Sequence, residues 1–128
     1  MEKNIKINVL LVEDNEVDAM AFERQVAKHD LPYAYQRANS IAAAKKLLDD
    51  THFDIALLDH QLKDGTSMQL IETINDTPTI LITGNGNEDL VVKAMNAGAY
   101  DYIVKDSGGN YLTTLPSKVN NAIKRFRT

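Results

Sequence analysis

The stretch Ile55-Ala56-Leu57-Leu58-Asp59 decides the fold, because it joins an uninterrupted apolar run to a carboxylate. A short apolar run without polar alternation is typical of a strand that is buried on both faces. A second stretch, Val9-Leu10-Leu11-Val12-Glu13-Asp14, has the same form. Both predicted strands therefore deliver carboxylates to their carboxyl ends. In an open parallel sheet, that edge is where ligands bind.

Apolar runs and amphipathic segments alternate along the whole chain. The runs predict five strands, at residues 7–12, 33–38, 53–58, 79–83 and 101–104. The segments after them carry apolar residues at helical spacing and predict five helices. We expect Ser40 to cap the second helix and Gly98 to follow the end of the fourth. Pro116 interrupts the last segment, so the regular helix is expected to begin near Leu115.

This alternation indicates an α/β fold with a parallel sheet and helices on both faces. Right-handed crossovers restrict the strand order. A single doubly wound five-stranded sheet of order 2-1-3-4-5, the flavodoxin-like arrangement, fits the length of 128 residues. That order places the first and third strands side by side, so Glu13, Asp14 and Asp59 are expected to meet. Residues 1–128 are expected to form one domain.

The composition excludes several classes of function. The chain has no cysteine, which rules out disulfides, thiolate catalysis and zinc–thiolate sites. Its formal net charge of −4 argues against direct nucleic-acid binding, which needs a basic face. No apolar run approaches the ~20 residues that span a bilayer, and the first residues lack the apolar core of a signal peptide. We therefore expect a soluble, cytoplasmic protein that does not contact a membrane.

Two further strand ends place polar groups at the same edge. The run 80–82 ends in Thr83, and the run 102–104 ends in Lys105. Clustered carboxylates repel one another, which raises their pKa values unless a positive charge compensates. A hard divalent cation compensates, and oxygen ligands select Mg²⁺, Mn²⁺ or Ca²⁺ over zinc. Lys105 and Thr83 both suit contact with a phosphoryl group, which a carboxylate can accept as a nucleophile.

Each of these residues also has a plainer explanation when it is taken alone. Asp14 could cap the helix that follows it, Thr83 could be an ordinary strand-end residue, and Lys105 could be a solvated loop lysine. Their joint occurrence at the ends of predicted strands, in this chain order, favours the functional interpretation.

Over essentially its whole length, the chain resembles the receiver domain of bacterial two-component response regulators. Four motifs carry the resemblance: residues 10–15, 57–59, 81–84 and 97–105. The resemblance implies that Asp59 is a phosphoacceptor, and that a sensor histidine kinase or a histidine phosphotransfer protein donates the phosphoryl group. It implies a phosphorelay switch, which is no enzyme beyond its own phosphorylation and dephosphorylation.

The resemblance also implies roles for the residues around Asp59. Four groups would hold Mg²⁺, with Mn²⁺ as the alternative: Glu13, Asp14, Asp59 and the backbone carbonyl of Gln61. Lys105 would neutralise the phosphoryl group, Thr83 would move to hydrogen-bond it, and Tyr102 would swing inward in the active state. The fourth helix, fifth strand and fifth helix would repack to control a downstream protein or output domain. Pairing of two copies through the same surface stays open.

The sequence departs from the family pattern in the loops near the site. Asp106 stands where many members have a proline, so the usual cis bond after Lys105 is not expected. The loop 60–65 lacks a common proline and is short. The third helix, marked by Met68, Ile71 and Ile74, is also expected to be short. These departures concern the dephosphorylation rate and the partner surface rather than the core chemistry.

Three other interpretations compete with the receiver. A phosphatase of the haloacid dehalogenase type also uses an aspartate after a strand, but it needs a second acid two residues later, where this chain has Gln61. A flavin carrier is disfavoured because no phosphate-binding loop occurs and the edge is acidic. A receiver-like interaction module that phosphorylation does not control stays open. So does the choice between a free-standing protein and a part of a larger one.

Overall fold

The strands form one parallel sheet in the expected order. The structure is a computed structural model that describes residues 5–84 and 87–128. The five strands are β1 (Ile7–Val12), β2 (Tyr33–Ala38), β3 (Ile55–Asp59), β4 (Thr79–Thr83) and β5 (Asp101–Val104). Their spatial order is β2-β1-β3-β4-β5, with every neighbouring pair parallel. The predicted fold class and the adjacency of β1 and β3 are therefore confirmed.

Five helices connect and follow the strands. They are α1 (Glu16–Lys28), α2 (Ile41–Asp50), α3 (Met68–Ile71), α4 (Glu88–Asn96) and α5 (Tyr111–Arg127). Ser40 caps α2 as predicted, since its hydroxyl oxygen accepts a 3.0 Å hydrogen bond from the amide of Ala43. Gly98 follows α4 with a φ of 120°, a conformation that favours glycine. Among the described residues, no helix is both long and apolar enough to cross a bilayer.

Alternate residues of the central strands enter two separate cores. In β1, Val9 and Leu11 belong to the core on the α1 and α5 side of the sheet, while Leu10 and Val12 belong to the core on the other side. All four side chains are at most 3% exposed. Burial on both faces explains why these strands are continuous apolar runs. It also leaves the ends of the strands as the places where polar side chains can lie.

Three predicted boundaries, those of β3 and the end of α3, were wrong. The strand begins at Ile55 rather than Phe53, and it includes Asp59. The preceding residues are held by other bonds: the amide of Asp54 donates a 2.8 Å hydrogen bond to the carbonyl of Asn8, and the carbonyl of Phe53 accepts a hydrogen bond from the hydroxyl of Thr77. The helix α3 ends at Ile71, before Ile74.

The start of the last helix was also predicted wrongly. The helix α5 begins at Tyr111, not near Leu115, and it continues through Pro116. The Asp106 carboxylate accepts hydrogen bonds from the amides of Asn110 and Tyr111, at 3.3 and 2.8 Å. These bonds satisfy amide groups that a helix start otherwise leaves unpaired. The leucines of the first turns are also buried. The hydrogen bonds to Asp106 and the burial of these leucines together offset the cost of the amide that the proline lacks.

The loop after β3 forms a small hairpin that the sequence pattern did not predict. Gln61–Leu62 pairs with Gly65–Thr66 in antiparallel fashion. The Asp64 carboxylate accepts hydrogen bonds from the first two amides of α2, at 2.8 and 3.1 Å. Gly65 has a φ of 147°, and a Cβ there would lie 2.5 Å from Oε1 of Gln69. The hairpin is therefore fixed against α2 and α3 and positions the chain just beyond Asp59.

Candidate functional site

Three carboxylates converge where β1 and β3 end. The two strands pair in register, with Val12 opposite Leu58, so the residues that follow them emerge together. Glu13, Asp14 and Asp59 each offer one oxygen, and these oxygens lie within 4.8 Å of one another. The structure thus brings together the acidic residues that the topology was expected to bring together.

Lys105 lies among these carboxylates. It follows β5, and its amide donates a 2.7 Å hydrogen bond to the carbonyl of Thr83 at the end of β4. Its Nζ atom lies 3.1 Å from Oε1 of Glu13 and 3.1 Å from Oδ1 of Asp59. A third carboxylate, Asp18, approaches Nζ more closely, at 2.7 Å. The lysine is a partly buried ion-pair partner rather than a solvated loop residue.

Asp18 is the site residue that sequence reasoning missed. It lies in the first turn of α1, three positions after the N-cap Asn15. Acidic residues are common in a first helical turn, so this spacing alone carried little information. The N-cap of α1 is Asn15, whose side-chain oxygen accepts a 3.0 Å hydrogen bond from the amide of Asp18. Asp14 is therefore not the helix cap, and the plainer explanation for it fails.

The carboxyl of Glu13 is buried, with the residue only 3% exposed. The pKa of this carboxyl is raised from 4.5 to about 7, first by burial and then by the charge of Asp59, while Lys105 opposes the rise. The backbone of Glu13 is held in place, since its carbonyl accepts a 2.8 Å hydrogen bond from Nε of Arg37. Without a bound cation, Glu13 thus holds its proton far more tightly than an exposed glutamate does.

Lys105 is held as an ammonium. Burial disfavours its charged form, but the hydrogen bond to Asp18 and the charges of Glu13 and Asp59 outweigh burial and raise the pKa of Lys105. One ammonium nevertheless contacts three carboxylates, those of Glu13, Asp18 and Asp59, and the carboxylate of Asp14 lies beside two of them. The site therefore keeps an excess of negative charge.

Thr83 and Tyr102 lie on the neighbouring strands β4 and β5. Thr83 is buried, and its hydroxyl oxygen accepts a 2.9 Å hydrogen bond from the Asn87 side chain. Tyr102 is 39% exposed, and the ammonium of Lys118 lies 5.6 Å from the centre of its ring. Thr83, Tyr102 and Val104 line a surface cavity of about 410 Å³ between α4 and β5. Space therefore exists beside Thr83 into which a side chain can move.

Gln61 lies in the first strand of the hairpin, opposite Thr66. The hairpin is joined to the sheet next to Asp59, because the amide of His60 donates a 3.0 Å hydrogen bond to the carbonyl of Ile82. The Gln61 side chain is exposed. The structure thus places this residue just beyond β3, where the backbone turns away from the sheet.

The donor set fits a hard divalent cation. Every group that could bind a metal here offers an oxygen, and three such oxygens lie within 4.8 Å of one another. Oxygen ligands are those that Mg²⁺ prefers in proteins. A bound cation would also offset the charge of Asp59, which, after burial, is the second cause of the raised pKa of Glu13.

A comparison with protein-family models matches residues 9–115 to the response regulator receiver domain. The chain belongs to the response regulator receiver domain family. It is 28% identical over 110 residues to the photosynthetic apparatus regulatory protein RegA of Rhodovulum sulfidophilum, covering 83% of this chain and 59% of RegA. It is 35% identical over 72 residues to the response regulator PilR of Pseudomonas aeruginosa, covering 53% of this chain and 16% of PilR. The receiver domain thus spans less than two thirds of either relative.

Solved structures support the same fold. The signal receiver domain of a protein named as a LuxO repressor, from Vibrio parahaemolyticus, is similar with a TM-score of 0.82 and 26% identity, covering 95% of this chain and 93% of that one. The phosphorylated cyanobacterial phytochrome response regulator RcpA is similar with a TM-score of 0.78 and 19% identity, covering 91% of this chain and 92% of that one. At this identity the similarity shows only that the fold is the same. Membership of this family makes the receiver domain a component of two-component signalling rather than a typical enzyme.

Proposed function

We propose that the receiver domain, comprising residues 1–128, accepts a phosphoryl group on Asp59 and thereby switches a partner-binding surface. The observation that carries the proposal is the position of Lys105, whose Nζ lies 3.1 Å from Oδ1 of Asp59 within the acidic cluster. A fixed ammonium beside a carboxylate can stabilise the charge of a phosphoryl group that the carboxylate accepts. The proposed donor is the phosphohistidine of a sensor histidine kinase or of a histidine phosphotransfer protein.

In the proposed transfer, a carboxylate oxygen of Asp59 attacks phosphorus and forms an acyl phosphate. The P–N bond to the donor histidine breaks, and its electron pair stays on the imidazole, which takes up a proton. We assign Glu13, Asp14, Asp59 and the backbone carbonyl of Gln61 to holding Mg²⁺, with Mn²⁺ as the alternative. The bound cation supplies positive charge against the phosphoryl oxygens. Lys105 is assigned to neutralising the same group.

The switch is assigned to Thr83 and Tyr102. For its hydroxyl to turn towards a phosphoryl group, Thr83 has to give up the hydrogen bond that it accepts from the Asn87 side chain. Its neighbour Tyr102 is partly exposed beside a cavity into which the ring can move. Moving a two-state equilibrium from mostly inactive to mostly active requires about 5 kcal/mol of differential interaction. The new charge at Asp59 is the proposed source of that free energy.

The proposed output surface is formed by α4, β5 and α5. Several apolar side chains are exposed there: Val92, Met95, Tyr102 and Val104. This surface is assigned to binding a downstream protein or an output domain, and it is also the surface through which two copies would pair. The net charge of −4 disfavours direct contact with nucleic acid.

Intact mass spectrometry after incubation with acetyl phosphate tests the proposal. The wild-type protein is expected to gain the mass of one phosphoryl group only when Mg²⁺ is present, and Asp59→Asn is expected to gain none. Asp50→Asn is the matched control, because Asp50 is an exposed carboxylate at the end of α2. If the wild type binds no Mg²⁺ and gains no mass, the alternative is favoured, a receiver-like interaction module that phosphorylation does not control.

A further inference from the structure

The ammonium of Lys105 has partners of two kinds. It donates hydrogen bonds to Oε1 of Glu13 at 3.1 Å and to Oδ2 of Asp18 at 2.7 Å, and it forms an ion pair with Asp59 at 3.1 Å. Glu13 and Asp59 belong to the group of carboxylates that could hold a cation, whereas Asp18 does not. Asp18 is thus the one of these three partners of Lys105 that a cation would not need as a ligand.

This division matters when a cation enters the site. A cation that takes oxygens of Glu13 and Asp59 competes with Lys105 for both carboxylates. The Lys105 side chain is only 20% exposed, so water cannot fully replace the lost partners. A partly buried ammonium without a counter-charge is costly. The closest contact of Lys105, with Asp18, can persist through this exchange because it comes from a separate element, α1.

We propose that Asp18 is a positioning residue that holds the Lys105 ammonium while Glu13 and Asp59 bind a divalent cation. Asp18 thereby raises the affinity of the site for the cation, although it is not itself a ligand. This inference rests on the proposed function, since it concerns the same Mg²⁺ site. In the absence of Asp18, Lys105 depends on the two carboxylates that the cation requires, and the two positive charges compete for them.

A double-mutant cycle with Mg²⁺ tests the inference. Backbone amide chemical shifts are followed during Mg²⁺ titration of the wild type, Asp18→Asn, Lys105→Met and the double variant. We expect Asp18→Asn to raise the Kd by about three- to tenfold, the size of one partly buried charge pair. In the Lys105→Met background, the same substitution is expected to raise the Kd by less than about twofold, because no ammonium remains to be held. Asp18→Glu should recover part of the affinity.

Two controls distinguish the positioning of Lys105 by Asp18 from a general effect of negative charge on α1 and from misfolding of the variant. Glu16→Gln removes the same charge two residues away on α1, but Glu16 is exposed and pairs with Arg37 rather than Lys105. It is expected to change the Kd by less than about twofold, as a screened surface charge does. Asp18→Asn should keep α1 intact, because the cap bond uses the backbone amide of residue 18 and not its side chain. Far-UV circular dichroism checks this.

The outcomes are distinct. An equal loss of affinity from Asp18→Asn in both backgrounds would overturn the inference, because Asp18 would then act without Lys105. If Lys105→Met does not fold, Asp18→Asn is compared with Glu16→Gln and Asp18→Glu. A loss no larger than that of Glu16→Gln would then contradict the inference. A wild type that binds no Mg²⁺ would overturn the proposed function itself, whereas binding without coupling would overturn only the role of Asp18.

Discussion

The Nζ atom of Lys105 lies 3.1 Å from Oδ1 of Asp59, although the strands that carry these residues are not neighbours. Asp59 ends β3 and Lys105 follows β5, so the ion pair crosses the carboxyl end of β4. Thr83 lies at that end of β4, and its carbonyl accepts a hydrogen bond from the amide of Lys105. The phosphoacceptor, the hydroxyl and the ammonium of the proposed mechanism therefore lie at one edge of the sheet.

Without divalent cations, the contribution of Glu13 to stability is predicted to decrease as the pH rises from about 4.5 to about 7. Burial raises the pKa of Glu13 over this interval, so the folded chain binds a proton there that the unfolded chain has released. Its stabilisation is therefore complete below the unfolded pKa and is lost as the pH rises through the folded one. Urea unfolding of the wild type and of Glu13→Gln at a series of pH values measures this contribution as the difference in the free energy of unfolding. A difference between the two proteins that is constant over the interval would contradict the raised pKa.

Lys105→Met is predicted to destabilise the fold in the absence of metal. The substitution leaves Glu13, Asp18 and Asp59 without their shared counter-charge, and we expect a loss of about 1–3 kcal/mol in the free energy of unfolding. Mg²⁺ should restore part of it. Lys118→Met is the control, because Lys118 pairs with Asp101 at 3.2 Å rather than with three carboxylates, and its loss should cost less than about 1 kcal/mol. Equal effects of the two substitutions would argue against a special role for Lys105.

Gly65→Ala is predicted to destabilise the protein by about 1–3 kcal/mol. The φ of 147° at Gly65 is unfavourable for any side chain, and the new Cβ would meet Gln69 at 2.5 Å and Ile41 at 2.8 Å. Gly108→Ala is the matched control, since a Cβ there meets its nearest neighbour at an ordinary 3.4 Å. Chemical denaturation of both variants measures the difference. A Gly65→Ala variant as stable as Gly108→Ala would show that the hairpin is not fixed as described.

Thr83→Ala is predicted to separate phosphorylation from switching. The variant should gain a phosphoryl group at Asp59, but Tyr102 should not respond, because the hydroxyl that is proposed to couple them is gone. The tyrosine ring signals in NMR spectra, recorded before and after acetyl phosphate, report the change. Thr79→Ala is the control, since Thr79 is equally buried at the opposite end of β4. A normal Tyr102 response in Thr83→Ala would remove Thr83 from the switch.

The sheet was predictable because burial on both faces leaves its mark in the sequence. Runs such as 9–12 and 55–58 are apolar without interruption, and only a strand covered by helices on both sides tolerates that. The meeting of Glu13, Asp14 and Asp59 followed from the strand order alone, since β1 and β3 are neighbours. For these residues, local sequence and global topology point to the same arrangement.

What could not be predicted depends on contacts between distant parts of the chain. Asp18 is an ordinary helix-start residue until the fold brings Lys105 to within 2.7 Å of it. The hairpin at 61–66 depends on Asp64, which binds the amides of α2, and no local pattern marks that contact. Pro116 alone predicts a later start for α5, but the hydrogen bonds that the Asp106 carboxylate accepts from the first amides of the helix offset the cost of the proline.

The position of the phosphoryl group on the chain tests the phosphoacceptor role of Asp59 directly. The protein is incubated with acetyl phosphate and Mg²⁺ and then treated with borohydride, which reduces an acyl phosphate to an alcohol, and peptides are sequenced by tandem mass spectrometry. We expect residue 59 alone to be converted from aspartate to homoserine, and we expect the omission of Mg²⁺ to prevent the conversion. Conversion at Glu13 or Asp14 instead, or none at all in a protein that binds Mg²⁺, would contradict that role.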